Sequence, residues 1–180
     1  MKRNAILVAA TAMFTVLFSG LAAAASSPIT NGSFQTGDFT GWSVRDTTHC
    51  FYTVCGDGTA SVAHCVPAAP GDTDGNCASF AGINVSAGQN LSSTNVHKYS
   101  ISGCIKHTGG GTATAGGAVN FSVSGETGWV CQTATYNNPY GVMQRIPPLT
   151  ISEVSSPDKD GHITPGTGYF DQYVFTVLKK

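Results

Sequence analysis

The chain has 180 residues, with 9 Lys and Arg against 10 Asp and Glu, and a formal net charge of −1. So weak a charge balance argues against nucleic acid, whose binders present basic patches, and against an anionic membrane surface. Few charges, 22 glycines and abundant Ser and Thr suit a β protein with many turns.

The N-terminus reads as a targeting segment. Lys2 and Arg3 form a positive n-region, and an apolar h-region runs from Ala5 to Phe18, interrupted only by Thr11 and Thr15. Ala22-Ala23-Ala24-Ala25 then supplies the small residues that signal peptidase requires. The apolar run is shorter than the ~20 residues a membrane-spanning helix needs. Residues 1–25 are therefore expected to be a signal peptide cleaved before Ser26. One domain, residues 26–180, is expected to be secreted to the extracellular space or the periplasm, with no membrane insertion after cleavage. Loss of Lys2 and Arg3 leaves 7 basic residues against 10 acidic ones.

All six cysteines lie in that domain: Cys50, Cys55, Cys65, Cys77, Cys104 and Cys131. An even count in an exported chain reads as three disulfides, and six cysteines allow fifteen connectivities. The expected pairing is sequential: Cys50–Cys55 and Cys65–Cys77 close short loops, and Cys104–Cys131 joins two inferred strands. A thiolate metal site is the alternative, since His49, Cys50, Cys55, His64 and Cys65 gather in a short stretch. No Cys-x-x-Cys pair occurs, however, and an oxidising compartment favours the disulfide.

After the signal, short β-prone runs replace helical periodicity. Strands are expected over residues 41–45, 59–66 and 77–85. Over 97–106, Tyr99, Ile101, Gly103 and Ile105 fall on one face by period two, and over 118–124 Val119, Phe121 and Val123 point inward. Further strands are expected over 128–135, 144–151 and 168–178, the last and most apolar carrying Phe170, Val174, Phe175 and Val177. Residues 67–76, 107–117 and 155–168 carry the breakers, and the glycine-rich 107–117 reads as a mobile hairpin tip. Many short strands at this spacing predict an all-β sandwich or jelly roll.

Catalytic chemistry has little support. Glycosidases need two placed carboxylates, but only Glu126 and Glu153 are glutamates, and most aspartates sit in Gly/Pro-rich turns. No Gly-x-Ser-x-Gly elbow occurs. The stretch Asp72-Thr73-Asp74-Gly75-Asn76 opens like an EF-hand loop, but Cys77 and Ile83 stand where Gly and Glu are required. The run from Asp158 fails likewise, with Ile163 and Tyr169 at those places. Sequons occur at Asn31, Asn84, Asn90 and Asn120.

The segment from Ile29 to Trp42 reads as a tight turn at Asn31-Gly32, a buried Phe34, a second turn at Gly37-Asp38, and an aromatic pair, Phe39 and Trp42. This "NGSFQTGDFTGW" stretch resembles the opening of galactose-binding-domain-like jelly rolls, among them carbohydrate-binding modules of the xylan- and glucan-binding type. His97 to Ser102 is similar to that family's central strand, and Tyr169 to Val174 to its closing strand. The resemblance implies a disulfide-containing jelly-roll β-sandwich that binds polysaccharide or another glycan without cleaving it. A structural or adhesive surface protein and a small glycoside hydrolase are the alternatives. It also implies one structural calcium ion where the opening and closing segments meet, with Gln35 and Asp171 at the ligand positions. Gln35 replaces an acid there, which removes a charge and weakens the site. Sugar contacts in that family fall on a sheet face or at loop tips. The aromatic and amide candidates are Trp129, Tyr136, Asn137 and Tyr140, with Asn138 and Pro139 in the same loop, while Trp42 is assigned to the core.

Overall fold

A computed structural model describes residues 28–51, 53–91, 98–137, 146–155 and 159–178. The expected signal peptide, and Asn138, Pro139 and Tyr140, lie outside the described residues. Among the described residues twelve strands follow in chain order: β1 Ser43–Arg45, β2 Cys50–Phe51, β3 Val54–Cys55, β4 Gly58–His64, β5 Asn76–Gly82 and β6 Asn84–Gln89 in the first half. The second half carries β7 Lys98–Gly109, β8 Thr112–Gly117, β9 Phe121–Ser124, β10 Val130–Asn137, β11 Leu149–Val154 and β12 Gly166–Val177. They form two five-stranded antiparallel sheets, ordered β1-β6-β11-β8-β9 and β10-β7-β12-β5-β4, with β2 and β3 as a small separate hairpin. This is the all-β jelly-roll sandwich expected from the sequence.

Period-two alternation drives the packing. Along β7, Tyr99, Ile101, Gly103, Ile105 and His107 are buried, while Ser100, Ser102, Lys106 and Thr108 are half-buried on the other face. Gly103 is bare because Tyr173 lies over it: a Cβ would stand 2.6 Å from the ring carbon Cδ1. The facing sheet contributes Val85, Ala87, Ala113, Ala115, Leu149 and Ile151, all buried. Between the sheets, Phe34 stacks on Trp42 with centroids 5.5 Å apart, and Phe80 lies 5.1 Å from Phe170. Trp42 is a core residue as expected, and its Nε1 donates to the Asn31 carbonyl at 3.2 Å.

The opening segment folds as read. Asn31 and Gly37 take φ of 50° and 74°, and Phe34 is fully buried. The closing strand meets it where the Tyr173 amide donates to the Gly32 carbonyl at 2.9 Å. A Cβ on Gly32 would collide with the Tyr173 carbonyl, so this approach requires glycine.

The cysteines pair as Cys50–Cys55, Cys65–Cys77 and Cys104–Cys131, and none is free. Two expectations are corrected. Residues 77–85 are not one strand: the chain crosses between sheets at Ile83, after Gly82 at φ 133°, so β5 and β6 belong to opposite layers. The stretch 107–117 is mostly ladder, because β7 runs to Gly109 and β8 begins at Thr112. Glycines at 109 and 111, both with positive φ, confine the turn to two residues.

Candidate functional site

The outer face of β1-β6-β11-β8-β9 is polar by alternation. With Val85, Ala87, Leu149 and Ile151 facing the core, β6 and β11 turn Ser86, Gly88, Thr150 and Ser152 outward. Register aligns these groups across the sheet. Arg45 pairs with Ser86, Ser86 with Ser152, Ser152 with Thr114, and Thr114 with Ser122. At about 4.8 Å per strand, this row of one guanidinium and four hydroxyls extends roughly 19 Å.

At the β1 end the face sinks into a recess of about 310 Å³, lined by Ser43, Arg45, Ser86, Asn90, Pro148 and Thr150 around Gly88. Gly88 is open rather than cramped, since a Cβ there would meet nothing nearer than 3.8 Å. Gln89 forms a fixed wall. Its Oε1 accepts from the Thr30 amide at 2.6 Å, and its Nε2 donates to the Thr30 and Gly41 carbonyls at 2.9 and 3.0 Å. Arg45 is half-buried, and its Nε is buried with no hydrogen-bond partner. The adjacent Asp46 is committed elsewhere. Its Oδ1 accepts from the Thr48 and His49 amides at 2.9 and 2.7 Å, and its Oδ2 from the Ala60 amide at 3.3 Å. Burial pulls the Asp46 pKa up, but the hydrogen bonds from Thr48 and His49 outweigh it and bring the carboxyl down to about 2.

Of the ligand candidates named from sequence, the described ones, Trp129, Tyr136 and Asn137, lie on or beside β10 in the other sheet, not on this face. Trp129 is half-buried just before β10, and its Nε1 donates to the Pro67 carbonyl at 2.8 Å, tying the Cys65–Cys77 loop down. Lys106 also reaches this loop, with its Nζ 3.4 Å from the Val66 carbonyl and 5.2 Å from the Tyr169 ring centroid. Tyr136 lies seven residues further along, roughly 23 Å away on an extended strand. It is 39% exposed, pairs directly with Tyr99, and stacks on that ring at 5.1 Å. Tyr99 in turn stacks on Phe175 at 5.0 Å, so Tyr136 forms the rim of the core. Asn137 ends β10, exposed and opposite Lys98.

Of the two expected calcium ligands, Gln35 is exposed in the turn after Phe34, whereas Asp171 is fully buried in β12. Asp171 Oδ1 accepts from the Gln172 amide at 2.6 Å, while its Oδ2 is buried without a partner, the kind of group a cation satisfies. Burial pushes the Asp171 pKa up to about 7, and the negative charges of Asp72 and Asp74 in the Cys65–Cys77 loop add to the rise. Among the described residues, no group of three His, Cys, Asp or Glu side chains could hold a metal ion. The exposed Gln35 adds no second buried oxygen beside Asp171.

One buried pair leaves no local signal in the sequence. His107 Nε2 lies 3.2 Å from the Glu153 carboxylate, linking β7 in one sheet to β11 in the other, and both side chains are wholly buried. The His107 Nδ1 faces the Gly125 carbonyl at 2.8 Å, and the Ser155 hydroxyl lies 3.5 Å from Glu153 Oε1. Burial holds the Glu153 pKa above its ordinary value against the pull of His107. Gly111 and Gly168 close over the carboxylate, since a Cβ on either would stand 3.0 Å or less from it. The serine is placed to bond the acid rather than the imidazole, and neither member of the pair is exposed to solvent. The pair is an inter-sheet clamp, not a hydrolytic triad. The other glutamate, Glu126, is exposed, and its Oε1 accepts from the Gly109 amide at 2.6 Å.

No protein-family model matches the sequence, and no curated protein does. The fold, by contrast, is found among solved structures. One is TmCBM61 in complex with beta-1,4-galactotriose, at a TM-score of 0.54 and 14% identity over 86% of this chain and 100% of that one. A putative sugar binding protein from Bacteroides thetaiotaomicron matches with a TM-score of 0.51 and 10% identity, over 84% of this chain and 100% of that one. The enzymatically active domain of tailspike protein 4 from Bacteriophage CBA120 gives 0.55 and 12% over 84% of this chain, which spans only 21% of that longer one. Identities this low show a shared jelly-roll fold.

Proposed function

We propose that the domain binds polysaccharide outside the cytoplasm without cleaving it, through the recess on the outer face of β1-β6-β11-β8-β9. The observation that carries this reading is the cross-strand row of Ser and Thr hydroxyls leading from Arg45, with Asn90 at the recess. Such groups match the donors and acceptors of a sugar unit, and about 310 Å³ lies within the range of small-ligand clefts. Ladder hydrogen bonds on both sides of β6 and β11 hold the array rigid, so little ordering cost opposes weak sugar contacts. The shared fold supports the reading, since the TmCBM61 structure holds a galactotriose. The three disulfides fit an oxidising compartment. Sequestration of Glu153 with His107 leaves one glutamate at the surface, which supports a binding role over a hydrolytic one.

The test is affinity electrophoresis of residues 26–180 through gels containing a panel of plant, microbial and algal polysaccharides. Gly88→Leu fills the recess from a position where a side chain meets no close neighbour. It is expected to weaken retention at least tenfold while leaving the melting temperature within 2 °C or so of the wild type, in keeping with a surface substitution. A wild type that ignores the whole panel would turn the assignment towards a structural or adhesive role. Release of reducing sugar would return it to a hydrolase.

A further inference from the structure

We infer that the recess selects glycans carrying a carboxylate, that is, uronic-acid units. The inference rests on the proposed polysaccharide-binding role and names its ligand class. Arg45 is the reason. Arg45 lines the cavity, and its Nε is withdrawn from water without a hydrogen-bond partner. The ion pairs among the described residues are His49–Asp46, His107–Glu153 and Lys159–Asp160, and none includes Arg45.

No acid faces the recess from the elements that form it. Just after β1, Asp46 is held by Thr48, His49 and Ala60. The outward groups of β6 are Asn84, Ser86 and Gly88, all uncharged. On β11 they are Thr150, Ser152 and Val154, while Glu153 faces inward to His107. A built cavity that holds, among the described residues, one unpaired and partly desolvated cation is complementary to one negative charge. A guanidinium fork matches a carboxylate in two parallel hydrogen bonds. The hydroxyls of Ser43, Ser86 and Thr150 and the Asn90 amide surround it. A ligand that satisfies all of them carries one carboxylate and several hydroxyls on a small ring, which describes a hexuronate. Residues 26–180 carry 7 basic residues against 10 acidic ones, so attraction of a polyanion depends on this local contact and not on a long-range field.

The test compares polygalacturonate with its carboxyl-reduced, neutral form, using residues 26–180 and measuring retention in affinity gels and titration calorimetry. The wild type should bind polygalacturonate at least tenfold more tightly than the reduced form, with the preference fading as salt rises from about 50 to 500 mM. Arg45→Gln should lose that preference, and Arg45→Lys should retain part of it. Sulfated dextran serves as the control for charge without a carboxylate, and retention equal to that of polygalacturonate overturns the carboxylate assignment. Equal wild-type affinity for the charged and reduced polymers also overturns this inference while leaving the polysaccharide-binding role intact. Binding to neither polymer, nor to any other glycan of the panel, overturns both. The wild-type preference is read without any variant, so a poorly folding Arg45→Gln does not blunt the test.

Discussion

Replacing Asp171 with Asn should stabilise the domain in neutral and alkaline solution. The carboxyl is fully buried, Oδ1 is bonded to the Gln172 amide, and Oδ2 has no partner. Burial first, and then Asp72 and Asp74, carry its pKa from 3.8 to about 7. The native state thus binds this proton more tightly than the unfolded chain does. The associated stability is fully present below pH 3.8 and is lost as the pH rises through about 7. Over that interval the loss comes to about 4 kcal/mol. Asn keeps the shape and the Oδ1 acceptor and carries no charge. In chelator, the two proteins should melt together at pH 4, and the variant should melt roughly 10 °C higher at pH 8, at 2–4 °C per kcal/mol for a chain of this size. The assay is a thermal melt followed by circular dichroism from pH 4 to pH 9. A variant less stable than the wild type at pH 8 in chelator would refute the reasoning. The same melts with calcium examine the ion that the family resemblance implies at Asp171. At a hundred times its dissociation constant, the ion should add about 2.7 kcal/mol to the wild type and nothing to the variant.

Asp46→Asn should act in the opposite sense. The native carboxyl sits at about 2 instead of 3.8, so it contributes about 2 kcal/mol that is present above pH 3.8 and lost as the pH falls through about 2. Urea titrations should show that deficit at pH 7 and a flatter acid limb in the variant. Tyr136→Ala should cost about 1–2 kcal/mol, because the ring covers Tyr99. Unchanged stability with weakened glycan retention would instead make Tyr136 a contact residue.

Much of the sandwich could be read from local pattern. Tyr99, Ile101, Gly103 and Ile105 alternate without interruption, and all four are buried as expected. The opening turns, the buried Phe34 and the core Trp42 follow from a short run whose glycines and aromatics have few alternative arrangements. Sequential disulfides were legible because the cysteines flank turns or lie on neighbouring strands. The split between β5 and β6 was not, since Asn76–Gln89 is β-prone throughout and only Gly82-Ile83 marks the crossing. That error hid the candidate site. Without the register of β6, nothing sets Ser86 beside Arg45 on one side and Ser152 on the other, residues separated by 41 and 66 positions. The His107–Glu153 clamp was hidden for the same reason, being a contact between two sheets rather than along one strand.

The covalent cross-links are distributed unevenly between the layers. Cys65–Cys77 and Cys104–Cys131 fasten β4 to β5 and β7 to β10, and Cys50–Cys55 closes the small β2–β3 hairpin. None touches β1, β6, β11, β8 or β9. The layer bearing the recess therefore has no covalent brace: ladder hydrogen bonds, packing and side-chain contacts such as His107–Glu153 hold it, and thermal breathing should open it first. A domain tethered to a polysaccharide mesh would be pulled through that unstapled layer. Its grip would yield before its scaffold unravelled, leaving the stapled layer as a template on which the binding face could anneal again.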